Sequence, residues 1–448
     1  MNEILLSFIS QIKRFIRQGH RLFSGGNQLK TLELALWGVG VCAAVVFLVI
    51  KVRAWGPIDA PEQMDFATYY TAARVGLLSP ADLYSPQRWQ HVNGPNLGTD
   101  VPYLYFPSFA WILRPLALLP YEVARRIWFW GSVGASALVV ICLLRMELRR
   151  DSRIWGIVLW LLLPSTLDTL YLGQVNDFLA LLITVGAMSF YEFRSRIQFI
   201  GGTLVGIAGG VKLFPIILIV MGLWREKWRF SVGCIAGLAV FISLGLLGMP
   251  LSTWAEFGRI FMDTTTALSP PGLSILHNQS LFAFWRKLSF EGTIPLVLQG
   301  NVVGVLTVQP LISSTLANLF AYGSVLLVIA FTAVALWNLH HGSSESALVA
   351  WALLLITTLI VAPISWWHYL TIVAPLFPGL IEIRRHVPVG WRLLLPVGYL
   401  FVVLQRGIML WLQAVPFLIL SCALLVGIML WWSVFIHYAL GMRQEKIY

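Results

Sequence analysis

The chain has 448 residues, of which 58% are hydrophobic and only 11% are charged, and its mean hydropathy is +0.78. So few charges over this length exclude a water-soluble globular protein, and the continuous apolar runs exclude a transmembrane β-barrel, so we predict an all-α polytopic membrane protein. The net charge of +11 indicates basic loops at an anionic membrane surface and excludes a nucleic-acid partner as the reason for the positive charge.

The chain begins with a basic amphipathic arm, residues 1–31, which we expect on the cytoplasmic membrane surface. About twelve transmembrane helices follow, several of them short for a full crossing. The predicted spans are 32–50, 127–145, 154–171, 178–192, 199–211, 213–224, 230–248, 315–337, 347–363, 368–383, 391–405 and 415–437. This count puts the basic connections, such as RMELRRDSR (145–153) and WREKWR (224–229), on one side. That side is predicted to be cytoplasmic and to hold both termini.

Two larger segments, residues 51–126 and 249–314, are predicted on the opposite, outer face, with short amphipathic helices rather than a water-soluble domain. We find no domain boundary, so residues 1–448 are expected to form a single membrane-embedded domain. Within the first segment, Pro102–Pro120 is apolar but contains four prolines. We interpret it as re-entrant or interfacial, because irregular backbone is tolerated at membrane depth only where protein covers it.

Asp65 begins the most informative outer stretch, Pro61–Tyr84, with the sequence PEQMDFATYYTAARVGLLSPADLY. One hypothesis is that Asp65 is a catalytic base held at the membrane surface. The alternative is that it caps the amphipathic helix that follows, since Asp is a favoured N-cap residue. The spacing alone favours the cap, and the two roles can coexist.

Other polar residues return to the same predicted face, often where a helix is interrupted, in GQVND (173–177), VKLFP (211–215) and PISWWHY (363–369). Polar groups at such breaks usually line a cavity, and ionisable groups near a membrane are costly enough to indicate function. Simpler readings exist. Gln174 and Asn176 would cap a helix junction, Lys212 would snorkel to the interface, and His368 would belong to an aromatic belt. Asn278 also begins a glycosylation-type triplet, a motif common by chance.

Six segments in this order resemble glycosyltransferase family 87: DFATYYTAAR with PADLY, YLYFPSFAWILRPLALLP, LGQVNDFLALL, GVKLFP with WREKWR, HNQSL and SWWHY. The resemblance runs from about Asp65 to His368. It implies a GT-C-type fold and a mannosyltransferase that depends on polyprenyl-phosphate mannose. One departure is that His368 is followed by Tyr369, where members acting on phosphatidylinositol mannosides tend to have a second histidine. The acceptor and the sugar therefore stay open.

The resemblance also implies roles for individual residues. Asp65 would be the base and His368 a partner of the base or of the phosphate, while Arg74 and Lys212 would bind the donor phosphate. The expected substrate-binding residues are Tyr69, Gln174, Asn176, His277, Asn278, Gln279, Trp366 and Trp367. No metal is expected, because the outer loops contain no carboxylate pair or DxD motif, and no other cofactor is expected. A polyprenyl phosphate leaves as a stable anion, so one carboxylate suffices to activate the acceptor.

The predicted function is inverting transfer of a sugar, with mannose as the default, from a polyprenyl-phosphate donor to a hydroxyl of a lipid or glycan acceptor. The expected partners are membrane lipids, the lipid-linked sugar and a glycolipid or glycan acceptor. The predicted location is the cell's inner or plasma membrane, with the site on the non-cytoplasmic side. The alternatives are arabinosyl or other hexosyl transfer from the same carrier, a lipid flippase or transporter, and a non-catalytic envelope scaffold.

Overall fold

The computed structural model describes residues 28–54, 63–85, 103–267, 278–298, 301–339, 344–412 and 422–441. Helices dominate this part of the chain, which confirms the all-α class. The α-helices are α1 (Gln28–Ala54), α2 (Met64–Leu78), α3 (Pro107–Ile112), α4 (Arg114–Ala117), α5 (Tyr121–Arg145), α6 (Arg150–Leu161), α7 (Pro164–Leu172), α8 (Asn176–Tyr191), α9 (Ser195–Val211), α10 (Ile219–Trp224), α11 (Trp228–Gly248), α12 (Leu251–Ala267), α13 (Leu281–Leu288), α14 (Ser314–Leu339), α15 (Ser344–Val361), α16 (Leu376–Ile383), α17 (Val389–Arg392), α18 (Leu394–Leu412) and α19 (Ala423–Gly441). Short 3-10 helices occupy Pro80–Asp82, Phe214–Leu218 and Trp367–Val373.

Long membrane-spanning helices are fewer than the sequence predicted. Among the described residues, 5 helices are long and apolar enough to cross a bilayer, or 6 if the bent pair α6 and α7 is one span. The predicted span 154–171 bends by 50° between these two helices, because Pro164 at the start of α7 cannot continue the hydrogen bonding of α6. The predicted span 368–383 starts as a 3-10 helix and becomes α-helical only at Leu376. Twelve full-length crossings are therefore not confirmed.

The second outer segment contains a feature that helical patterning did not predict. Strands β1 (Gly292–Leu298) and β2 (Asn301–Val308) form an antiparallel pair, with Gly292 opposite Val308 and Leu298 opposite Asn301. Both are rich in β-branched and other apolar residues, which favour a pleated strand. The same segment begins with α12, where the sequence predicted short amphipathic helices.

Residues 103–120 fold back onto α2. Their helices α3 and α4 have only 6 and 4 residues, so neither can span a bilayer. The Tyr70 hydroxyl of α2 donates to the carbonyl oxygen of Leu119 at 2.7 Å. The amphipathic helix α2 and the proline-rich segment 103–120 therefore form one packed unit.

Helix α9 packs tightly on α11 through small residues, and this contact sets the position of the residue that follows α9. A Cβ atom on Gly206 would lie 2.0 Å from the carbonyl oxygen of Cys234, and one on Gly237 would lie 2.0 Å from that of Thr203. Backbones this close require glycine on both helices. The end of α9, and with it Lys212, is thereby held on a rigid support.

Candidate active site

The start of α2 places Asp65 inside the first turn of the helix. The capping residue is Gln63, whose backbone is left-handed with φ 45° and ψ 48°. The Gln63 N–H donates to the carbonyl oxygen of Tyr171 at 3.1 Å, which ties the start of α2 to α7. The alternative that Asp65 is the N-cap is therefore wrong. An acidic side chain in a first helical turn is nevertheless stabilised by the helix dipole.

Gly173 follows α7 and begins the turn that leads to α8. This turn packs against the start of α2. The φ of 68° at Gly173 lies in the left-handed region, which glycine adopts without a steric cost. A Cβ atom here would lie 2.8 Å from the Cβ of Phe66 and 3.0 Å from that of Gln63. The backbone of α2 can approach this turn only because the residue is glycine. Gln174, the next residue, is thereby brought to the first turn of α2.

The Gln174 side chain connects three of the residues that the sequence singled out. Its Oε1 atom accepts a hydrogen bond from the Tyr69 hydroxyl at 3.0 Å and one from the Lys212 ammonium at 3.3 Å. Two donors on the oxygen define the orientation of the amide, so its N–H group is the one that donates to the Asp65 carboxylate. Gln174 therefore does more than cap a helix junction, because its side chain contacts both Asp65 and Lys212.

Lys212 follows α9 in an extended conformation, with φ −133° and ψ 123°, in the break before the 3-10 helix Phe214–Leu218. Its ammonium donates to Asn176 Oδ1 at 2.7 Å and lies 4.0 Å from the centre of the Tyr369 ring. Lys212 is only 8% exposed, so its side chain does not reach solvent along the membrane edge. The snorkelling interpretation is therefore wrong.

The electrostatics of Asp65 and Lys212 are coupled, and both residues lie outside the candidate spans. Burial raises the pKa of Asp65 to about 6, although a hydrogen bond from Gln174 and the charge of Lys212 act in the opposite direction. Burial lowers the pKa of Lys212 to about 7, although the charge of Asp65 opposes the change. An acid and an amine with pKa values so close to neutral are typical of groups that exchange protons or bind anions in function.

Three phenols surround this pair, and two of them escaped the sequence analysis. The hydroxyl groups of Tyr69 and Tyr105 are 2.7 Å apart, and their rings meet edge to face at 5.1 Å. Burial raises the pKa values of Tyr69 and Tyr105, and a neighbouring phenol and the charge of Asp65 raise them further. Tyr105 lies in the proline-rich segment, and Tyr369 directly follows His368. Their positions in family-like motifs were the only sequence signal for them.

The segment 363–369 is held in place by Asn278, which the sequence placed among the substrate-binding residues. Its side-chain amide donates to the Pro363 carbonyl oxygen at 2.8 Å, and its Oδ1 accepts from the Ser365 N–H at 2.9 Å. The Gln279 N–H donates to the Ser365 carbonyl oxygen at 2.7 Å. Asn278 is 7% exposed, which does not suit a glycosylation acceptor. These contacts give Asn278 a structural role, and substrate contacts for Asn278 and Gln279 stay a prediction.

His368 joins the site through its backbone. Its carbonyl oxygen accepts a hydrogen bond from the Asn176 amide at 2.9 Å, so the residue that bonds Lys212 also bonds His368. The imidazole is 4% exposed and stacks on the Trp366 ring at 5.9 Å. A chemical role for the imidazole stays a prediction, as does sugar stacking on Trp366.

Trp367 is anchored to an ion pair that the sequence analysis missed. Its indole N–H donates to Asp168 Oδ2 at 3.0 Å, and Asp168 Oδ1 lies 3.0 Å from the ammonium of Lys51. Asp168 is fully buried on α7, and Lys51 belongs to the last turns of α1. Both residues lie inside predicted apolar runs or at their edge, so only the tertiary contact shows their pairing. Trp367 is 8% exposed and its indole is anchored by Asp168, while sugar stacking on Trp367 stays a prediction.

Arg74 is not brought to this group of residues. It lies nine residues after Asp65 on α2, so helix geometry separates the two by roughly 13 Å along the axis and places them on opposite faces. Its guanidinium donates to the Tyr70 hydroxyl at 3.1 Å. His277 lies outside the described residues. Within the described part of the chain, no group of three or more His, Cys, Asp or Glu side chains is arranged to hold a metal ion.

Known proteins are similar to this chain in sequence. Over 292 residues the chain is 29% identical to a polyprenol-phosphate-mannose-dependent alpha-(1-2)-phosphatidylinositol pentamannoside mannosyltransferase of Mycolicibacterium smegmatis, covering 63% of this chain and 62% of that protein. It is 24% identical over 379 residues to a polyprenol-phosphate-mannose-dependent alpha-(1-2)-phosphatidylinositol mannoside mannosyltransferase of Mycobacterium tuberculosis, covering 80% of this chain and 78% of that protein. The aligned part is thus less than two thirds of the first relative. No solved structure matches the chain.

The family assignment rests on a match to a family model. The family model for glycosyltransferase family 87 matches residues 103–363, more than half of the chain. This range includes Tyr105, Gln174, Asn176 and Lys212, which contribute most of the polar contacts described above. The chain therefore belongs to glycosyltransferase family 87.

Proposed function

We propose that this protein transfers mannose from a polyprenyl-phosphate donor to a hydroxyl group of a lipid or glycan acceptor, with inversion at the anomeric carbon. The observation that carries the proposal is the single side chain of Gln174, which bonds both the carboxylate of Asp65 and the ammonium of Lys212. A base and a cation joined in this way suit a reaction that activates a hydroxyl and releases a phosphate.

In the proposed reaction, Asp65 accepts the proton of the acceptor hydroxyl as its oxygen attacks the anomeric carbon. The new glycosidic bond forms on the face opposite the departing oxygen, and the bond from the anomeric carbon to the phosphate oxygen breaks. Its electron pair leaves with the polyprenyl phosphate, which gains one negative charge. Lys212 stabilises that charge. The leaving group needs no proton, so a second carboxylic acid is not required.

The environment of the two groups supports these roles. Asp65, with a pKa raised to about 6, is a stronger base than an ordinary carboxylate and is still mostly ionised at neutral pH. The partners of Lys212 include the neutral side-chain oxygens of Gln174 and Asn176. These oxygens orient the ammonium without neutralising it, so its charge can act on a phosphate. The phenols of Tyr69 and Tyr105 supply hydroxyl groups suited to contacts with a sugar.

The choice of mannose, of a lipid-linked donor and of a glycolipid acceptor is supported by the functions of the mycobacterial relatives. The positions of the basic connections support a site on the non-cytoplasmic face and cytoplasmic termini. Arabinosyl or other hexosyl transfer from the same type of carrier is the alternative within the enzyme class. A flippase would move a lipid without forming a glycosidic bond.

The test is transfer by the purified protein in nanodiscs, with radiolabelled polyprenyl-phosphate mannose, the corresponding arabinose donor and a panel of glycolipid acceptors. We expect a mannosylated product whose new linkage has the opposite anomeric configuration to the donor. D65N should abolish transfer, while the same substitution at the exposed Asp151 should preserve it. Transfer that persists in D65N, or lipid movement in sealed vesicles without a new linkage, would overturn the proposal.

A further inference from the structure

The ring of Tyr369 contacts two residues of the short segment that follows α9. The Lys212 ammonium lies 4.0 Å from the centre of the ring, and the Phe214 ring stacks on it at 5.7 Å with an interplanar angle of 23°. A third ring, that of His368, meets Tyr369 edge to face at 5.2 Å. The Tyr369 ring is therefore fixed by its neighbours and has little freedom to leave the ammonium.

The charge of Asp65 acts on the ammonium, but the groups that hydrogen-bond to it directly are neutral. Its hydrogen bonds go to the neutral oxygens of Gln174 and Asn176. The titratable groups facing the Lys212–Tyr369 pair are Asp65 of α2, Tyr69 of α2, Tyr105 of the proline-rich segment and His368 of the 3-10 helix. The face of an aromatic ring attracts a cation, and the attraction is larger where water is excluded.

We propose that Tyr369 is a positioning residue whose ring face keeps the Lys212 ammonium charged and directed at the phosphate of the polyprenyl-phosphate substrate. The proposal rests on the proposed function, because it takes Lys212 to bind that phosphate. It assigns the effect to the ring rather than to the hydroxyl group. A phenylalanine at this position therefore preserves the effect, whereas an aliphatic residue removes it.

The experiment measures binding of farnesyl phosphate, a short polyprenyl phosphate, to the full-length protein in nanodiscs by isothermal titration calorimetry. It compares the unchanged protein with Y369F, Y369L and K212M, and with Y322L as a matched substitution at an exposed tyrosine of α14. We expect Y369L to weaken binding about 3- to 30-fold, the range of a desolvated cation–π contact. Y369F should retain most of the affinity and K212M should lose the most.

Binding is also measured against pH. The ring favours the charged amine, so its removal lowers the pKa of Lys212, and Y369L should lose binding at a lower pH than the unchanged protein. A merely structural role for Tyr369 would not move this midpoint. Thermal unfolding of each variant identifies one that fails to fold, and Y369M, with a side chain of similar reach, then replaces Y369L.

The outcomes separate this inference from the function on which it rests. Equal binding by Y369L and the unchanged protein, while K212M binds weakly, would overturn the role of Tyr369 and leave the phosphate site standing. A loss in Y369F as large as that in Y369L would assign the effect to the hydroxyl and also overturn the inference. Equal binding by K212M and the unchanged protein would instead overturn the proposed phosphate site.

Discussion

The ammonium of Lys212 lies 2.7 Å from the side-chain oxygen of Asn176, although 36 residues separate them in the sequence. The same asparagine donates to the carbonyl oxygen of His368 at 2.9 Å. One amide therefore joins the break after α9 to the start of the 3-10 helix Trp367–Val373. Replacing it tests whether this junction matters for binding the donor.

We expect N176L to raise the KM for the donor roughly 5- to 100-fold, the cost of leaving buried hydrogen-bonding groups unsatisfied. Lys212 would lose its shortest acceptor, and the His368 carbonyl oxygen would lose its donor. Steady-state kinetics with polyprenyl-phosphate mannose provide the measurement. N318L, at an exposed position of α14, is the matched control. An unchanged KM in N176L would show that Asn176 does not help to orient Lys212.

The pH dependence of kcat/KM should be bell-shaped. Asp65 acts as a base only when it is ionised, so activity should fall as pH drops through about 6. Lys212 binds phosphate only when it is protonated, so activity should also fall as pH rises through about 7. In kcat the alkaline limb should move to higher pH, because bound phosphate stabilises the ammonium.

K212R provides the check on this assignment, because a guanidinium does not deprotonate in this range. The alkaline limb of kcat/KM should disappear in K212R, while the acidic limb stays. If the alkaline limb persists in K212R, a group other than Lys212 is responsible for it.

Replacing Gly173 should change the position of Asp65 indirectly, by displacing the start of α2. A Cβ atom there would lie 2.8 Å from the Cβ of Phe66, and the φ of 68° is unfavourable for alanine by about 1–2 kcal/mol. We therefore expect G173A to lower the transfer rate by moving α2 away from Gln174. G134A is the control, because its added methyl group meets nothing within 4 Å. Full activity in G173A would mean that the close approach of α2 is not needed.

The Lys51–Asp168 pair should show strong coupling in a double-mutant cycle. K51M leaves a fully buried carboxylate without its cation, which we expect to cost roughly 3 kcal/mol in the free energy of unfolding. D168N should cost less, since an amide oxygen can still accept from Trp367. Combining K51M with D168N should recover part of the loss. The exposed Glu122–Arg125 pair, tested with E122Q, should change stability by less than about 1 kcal/mol. Additive effects at Lys51 and Asp168 would contradict the coupling.

Transfer should proceed in the presence of excess EDTA. The developing charge on the phosphate is assigned to the ammonium of Lys212, and one carboxylate suffices to activate the acceptor. The measurement is the initial rate after dialysis against EDTA, with and without added Mg²⁺ or Mn²⁺. A rate that collapses with EDTA and returns with Mg²⁺ would require a metal in the mechanism.

The sequence predicted the fold class, an all-α membrane protein, because membrane insertion depends on the apolar content of local segments. The same reasoning recognised polar residues at helix breaks, and the fold does bring Asp65, Tyr69, Gln174, Asn176 and Lys212 together. The hydropathy pattern was a less reliable guide to whether a predicted span is one continuous helix. It predicted one span over 154–171, where the chain bends by 50°, and it did not predict the β1–β2 hairpin.

By itself, then, the sequence determined that the protein is a helical membrane protein of glycosyltransferase family 87 and which polar residues interrupt its apolar runs. Only the tertiary structure decided which of those residues meet. Arg74 follows Asp65 closely in sequence but lies on the other face of α2, whereas Tyr369 and Asp168 come from distant segments to contact Lys212 and Lys51. The reason is physical: hydropathy is a property of neighbouring residues, but a buried charge is stabilised by whichever groups the packed helices place around it.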